Sequence, residues 1–143
     1  MDTMTTTPTT VTRAATIAVV DENVWRVRHL SEVLQTQGHR VVLLTSSANA
    51  LTLLSDGRCD VVLAVEALQG LTGSALCGAL REKLGAKRPW FVLLSDAAPD
   101  ASIAAAFDVC IQRPITDEGL MAVTSDAITA RRASTSEPVA VLA

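Results

Sequence analysis

Residues 59–73 read CDVVLAVEALQGLTG. The first half, CDVVLAV, is a short apolar run rich in β-branched residues, the pattern of a buried strand. It breaks into a loop holding one acid, Glu66, and two glycines, Gly70 and Gly73. A strand entering such a loop is where a folded domain would present a reactive side chain. The side chain at that point is Val65, which has no lone pair and no exchangeable proton. Thr72-Gly73-Ser74 then opens a helix that carries Leu76, Cys77 and Leu80 and closes near Gly85.

The same strand–loop–helix unit recurs on both sides. Upstream, TIAVVD (16–21) reads as a strand and Val24–Gln37 as a helix, with Val27, Leu30, Val33 and Leu34 at helical spacing and Gly38 as its C-cap. RVVLLT (40–45) is the next strand. Ser46 or Ser47 caps a helix with Ala50, Leu51 and Leu54 that ends near Gly57. Downstream, PWFVLLS (89–95) is a strand, and Pro99-Asp100 starts a helix over ASIAAAF (101–107). DVCIQ (108–112) is the fifth strand. After Arg113-Pro114, Thr116 caps a last helix with Leu120, Val123, Ala127 and Ile128 that reaches about Arg132.

Five strands alternating with five helices require crossover connections. The expected fold is therefore α/β, a doubly wound five-stranded parallel sheet of flavodoxin-like (βα)5 type. Continuously apolar strands fit a sheet covered on both faces. The domain is expected over residues 15–132. The Thr-rich residues 1–14 are expected to be a disordered N-terminal tail and 133–143 a flexible C-terminal tail. Too few residues follow Arg132 to build an output domain, so the domain is expected to stand alone.

Composition removes several function classes. A net charge of −3 leaves no basic footprint for nucleic acid. No apolar run approaches the roughly 20 residues that span a bilayer, and the polar N-terminus lacks the apolar core of a secretory signal, so the expected location is cytoplasmic. Cys59, Cys77 and Cys110 read as reduced, partly buried small hydrophobes. With His29 and His39 they form no metal-site spacing. His39, after Gly38, reads as a solvated loop residue. Trp90 reads as core, and Trp25 as either a contact residue near the site or a packing residue.

Ligands of open α/β sheets sit at the carboxyl ends of the strands. That directs attention to Asp21, Glu22, Val65, Glu66, Leu94, Ser95 and Arg113. The ordered set IAVVDEN (17–23), a helix ending in GHRVV (38–42), CDVVLAV followed at fixed spacing by Gly73, and IQRPI (111–115) before an amphipathic helix resembles a response-regulator receiver domain. The resemblance covers about residues 16–130. It implies that Asp21 and Glu22 are the acidic pair that helps bind magnesium, and that Val65, eight residues before Gly73, stands at the phosphoacceptor aspartate. Gln69 stands at a common proline. Leu94 stands at the Ser/Thr position, with Ser95 as the alternative register, and Arg113 stands at the lysine. The stretch from the fourth strand to Arg113 is a few residues short of the usual length, which trims the fourth helix or its exit loop.

A phosphoryl acceptor needs an oxygen nucleophile, and valine has none. The expectation is a degenerate receiver, a pseudo-receiver, with no catalytic residue, no cofactor and no enzyme activity. It would act in signal transduction through phosphorylation-independent protein–protein interaction. The partner is a histidine kinase, another regulator, or a second copy of the chain as a homodimer. Asp21 and Glu22 are expected to hold no metal, their charge being offset by Arg113; a weak magnesium site on this pair is the alternative. Glu66 is expected to face away from Val65 as a solvated loop acid. Two other functions are carried: a receiver phosphorylated on Glu66 with magnesium, and a flavodoxin-like binder of a small ligand. Against the second, DENVW (21–25) has no glycine with which to cradle a phosphate.

Overall fold

The computed structural model describes residues 14–135. Five strands, β1 (Thr16–Val20), β2 (Arg40–Leu44), β3 (Val61–Ala64), β4 (Trp90–Ser95) and β5 (Val109–Gln112), form one sheet in the order β2-β1-β3-β4-β5. Every pairing is parallel. Between and after them run α1 (Val24–Gln35), α2 (Ser47–Leu54), α3 (Gly73–Leu84), α4 (Ala101–Ala104) and α5 (Asp117–Thr135). Right-handed crossovers put α1 on one face and the helices that follow β2, β3 and β4 on the other. The contacts agree: α1 packs on α5, and α2 packs on α3. Covered on both faces, Ile17 to Val20 and Val61 to Ala64 are sealed from solvent. This is why those strands carry no polar alternation.

The chain leaves β1 towards β2 and leaves β3 towards β4. The connections therefore diverge between β1 and β3, and a crevice opens at their carboxyl ends. Asp21 and Val65 are the next residues of these two neighbouring strands, and the Val65 amide donates to the Val20 carbonyl at 3.2 Å.

Several boundaries differ from the sequence reading. Helix α1 stops at Gln35 with Thr36 as C-cap; Gly38, at φ +83°, turns the chain two residues later. Helix α4 is a single turn rather than seven residues. The amides of Ala106 and Phe107 bond back to Ile103 and Ala104, and the tightened chain drops Phe107 into the core and joins Asp108 to Phe91. Helix α5 continues three residues past Arg132. The expected tails otherwise lie outside the described residues. His39 is not a solvated loop residue: its Nδ1 accepts from the Ala15 amide at 3.2 Å. Desolvation, aided by Arg132, lowers its pKa. Of the three thiols only Cys59 and Cys77 are buried, while Cys110 on the edge strand β5 is exposed. Trp90 is only partly buried, with the Arg88 guanidinium 5.2 Å from its ring centroid.

Candidate functional site

Asp21 is the centre of the crevice, 2% exposed at the end of β1. Its Oδ1 accepts from the Asn23 amide at 2.9 Å, in a turn that hands the chain to α1. Asn23 then caps α1 through the amides of Trp25 and Arg26. That cap brings the third residue of the helix back over the strand end. Arg26 Nε donates to Asp21 Oδ2 at 2.7 Å and Nη2 to Oδ1 at 3.2 Å, a bidentate ion pair. The carboxylate raises the Arg26 pKa, chiefly through these hydrogen bonds. Both oxygens of Asp21 are thus occupied from α1.

Arg113, expected to offset both acids, is only in the outer field of one. Its Nη1 lies 3.9 Å from Asp21 Oδ2 and, though buried, has no hydrogen-bond partner. Its Nε donates instead to Asp96 Oδ1 at 3.0 Å, and Asp96 is 78% exposed. The cation that neutralises Asp21 is therefore Arg26, which the sequence reading passed over. Arginine at the third position of a helix opposes the macrodipole. Such a cation five residues after a strand-end aspartate was the available signal. Nothing in the sequence marked Asp96.

Glu22 points elsewhere. Its Oε2 accepts the Gln69 amide at 2.6 Å and so ties the end of β1 to the loop after β3. Ser47 fixes the same loop, donating to the Gln69 carbonyl at 2.8 Å and accepting from the Leu71 amide at 3.0 Å. A proline at 69 would have no amide for Glu22 to hold. Val65 is 6% exposed and belongs to the apolar core. Glu66 turns away from it but is not a solvated acid. Its carboxylate receives the Ser74 amide at 2.6 Å and the Ser74 hydroxyl at 2.7 Å at the start of α3, where the helix dipole favours an anion. Gly73 sits against the strand end so closely that a Cβ there would lie 2.2 Å from the Val65 carbonyl oxygen. The eight-residue spacing from Val65 to Gly73 is thus a steric fit. Leu94 is buried in the core. Ser95 is the residue that emerges at the end of β4, pairing with Gln112 next to Arg113, and its hydroxyl is turned into the following loop, donating to the Ala97 carbonyl.

No protein-family model matches the sequence, and none of the curated proteins matches it. Solved structures do. The signal receiver domain of an HD domain-containing protein from Pseudomonas fluorescens Pf-5 superposes with a TM-score of 0.78 at 20% identity, over 90% of this chain and 96% of that one. The chemotaxis response regulator CheY4 of Vibrio cholerae gives 0.73 at 19% identity, over 80% and 99%. The signal receiver domain of a signal transduction histidine kinase from Syntrophus aciditrophicus gives 0.71 at 20% identity, over 82% and 92%. The chain has the receiver fold.

On a receiver fold the crevice between β1 and β3 is the place to test for a magnesium ion. Magnesium asks for several oxygens in near-octahedral array. Here Asp21 is held by Arg26 and the Asn23 amide, Glu22 by the Gln69 amide, and Val65 offers no donor. Among the described residues no three His, Cys, Asp or Glu side chains converge on one point. The residues present do not fit the ion.

Proposed function

We propose that the domain is a pseudo-receiver: a receiver fold that does not accept a phosphoryl group and serves signal transduction by binding another protein, in the cytoplasm. The carrying observation is the bidentate Arg26–Asp21 pair beside Val65. With Asp21 saturated by a guanidinium and an apolar side chain at the strand end, the crevice offers neither nucleophile nor ion site, and enzyme activity is not expected of it. Binding is what remains to such a fold. A histidine kinase, another regulator, or a second copy of the chain are the partners that suit it. Phosphorylation on Glu66 is the weaker reading, because that carboxylate is engaged by Ser74 at the start of α3.

The test is exposure to acetyl phosphate, and separately to beryllofluoride, each with magnesium. Intact-mass spectra should show no added phosphoryl group, and amide resonances around Asp21 and Val65 should not move. A phosphoryl adduct on Glu66, or on any other side chain of the crevice, overturns the reading.

A further inference from the structure

Beside the crevice, a groove of about 560 Å³ runs between α1 and the segment joining β5 to α5. Trp25 and Leu30 form one wall, Pro114 and Ile115 the other, and the polar groups come from Arg26, Arg113 and Asp96. The volume lies in the range of small-molecule sites, and so does the make-up, apolar walls with a few convergent polar groups. From this groove we infer that the domain binds an aromatic monocarboxylate, with the ring against Trp25 and the carboxylate on Arg113. The inference is independent of the signalling role and of the missing phosphoryl chemistry.

The charge comes first. Two guanidiniums, Arg26 and Arg113, face two carboxylates, Asp21 and Asp96. The Arg26–Asp21 pair is short, bidentate and closed. The Arg113–Asp96 pair is the looser of the two: only Nε meets Asp96, an acid that is 78% exposed, while the buried Nη1 faces Asp21 at 3.9 Å without a hydrogen bond. Exposed ion pairs are weak and exchangeable, whereas a guanidinium that can grip both oxygens of a carboxylate binds strongly. An incoming carboxylate displaces Asp96 and takes the Nε edge of the guanidinium, the side away from Asp21. Releasing Asp96 leaves one positive charge uncompensated, which one negative charge neutralises. A dianion such as phosphate would leave excess charge against Asp21.

The body of the ligand follows from Trp25. The indole is 76% exposed in the first turn of α1, bordering the groove. The Arg28 guanidinium lies 5.8 Å from the ring centroid, yet most of the indole stays in water, and beside apolar walls it is covered best by another flat ring, through offset stacking and loss of wetted area. His29, on the rim, is paired with Asp117 at 3.2 Å and adds no net charge when protonated.

The test uses 2-naphthoate and its uncharged analogue 2-naphthamide, titrated calorimetrically into the full chain, with Trp25 emission followed in a Trp90→Phe variant. The acid should bind one to one, at least tenfold tighter than the amide, and should change Trp25 emission. Arg113→Gln should weaken the acid at least tenfold and leave the amide unchanged. Asp96→Asn, which removes the resident competitor, should tighten the acid severalfold. Equal affinity for acid and amide, or no binding of either, overturns the proposal. If Arg113→Gln does not fold, Asp96→Asn decides: it alters one exposed side chain, and unchanged or weakened binding of the acid refutes the displacement.

Discussion

Asp21 shows how much one side chain's partners matter. A carboxylate 2% exposed is stable only when its oxygens are satisfied, and Arg26 and the Asn23 amide satisfy them. Arg26→Ala should therefore cost about 1–2 kcal/mol in urea unfolding at pH 7, held to the low end because the Arg26 side chain is 43% exposed. In an Asp21→Asn background most of that cost should vanish, since the charge that needed the guanidinium is gone. Additive effects in the double-mutant cycle would show the pair to be uncoupled. Val65→Asp makes the converse point. A carboxyl at a 6%-exposed site beside Asp21 should cost about 2–3 kcal/mol at pH 7. Burial and the neighbouring acid raise its pKa in the folded state, so the loss should shrink as the pH falls towards 5. An equal loss at both pH values would contradict this.

Among the elements, the strands were legible because a doubly covered sheet demands continuous apolar runs, as Ile17–Val20 and Val61–Ala64 show. The cap Thr116 was legible from the chemistry of the first turn, Ser46 only as one of two candidate serines, and Thr72 only as part of the segment that opens α3. Alanines misled at α4: a run of good helix formers over 104–106 gives way to the need to bury Phe107 and return to the sheet. The site was half legible. Strand ends located Asp21, Glu22, Val65, Ser95 and Arg113, but which cation serves Asp21 depends on how α1 leaves its cap, and no periodicity encodes that. Two measurements belong to this scale. Gly73→Ala drives a Cβ into the Val65 carbonyl, and it should lower the melting temperature by several degrees, against little change for Gly78→Ala, where nothing lies within 4 Å. His39 is held neutral, with a folded pKa below its usual 6.5. The unfolded chain then binds the extra proton first, so stability present above pH 6.5 drains away as the pH falls towards the folded pKa. His39→Gln should flatten the pH dependence of unfolding over that interval; an unchanged slope would assign it to other groups.

For the whole molecule, one core reaches both faces of the sheet, from Ile17 and Val61 to Leu76, Phe91 and Leu120. Among the described residues no helix is long and apolar enough to cross a membrane. Opening of a core this continuous should be global, and the cysteines report on it. Cys110 is exposed, whereas Cys59 and Cys77 are buried, and burial pushes the Cys59 pKa up to about 12 and the Cys77 pKa up as well. Desolvation raises the Cys110 pKa too, but with a thiol reagent at neutral pH this exposed thiol should react without unfolding, and the other two only at the rate of global unfolding. Fast reaction of Cys77 would reveal a separate opening of α3.

The Arg26–Asp21 clamp also constrains the order in which the chain can change over generations. A carboxylate arriving at position 65 meets an aspartate whose oxygens are already taken, so the substitution brings a stability loss and no ion. Removing Arg26 first strands a buried charge. Each single step is a loss, and only the two together free Asp21 for a metal. A chain carrying this pair therefore stands across a stability valley from any metal-binding form of the crevice.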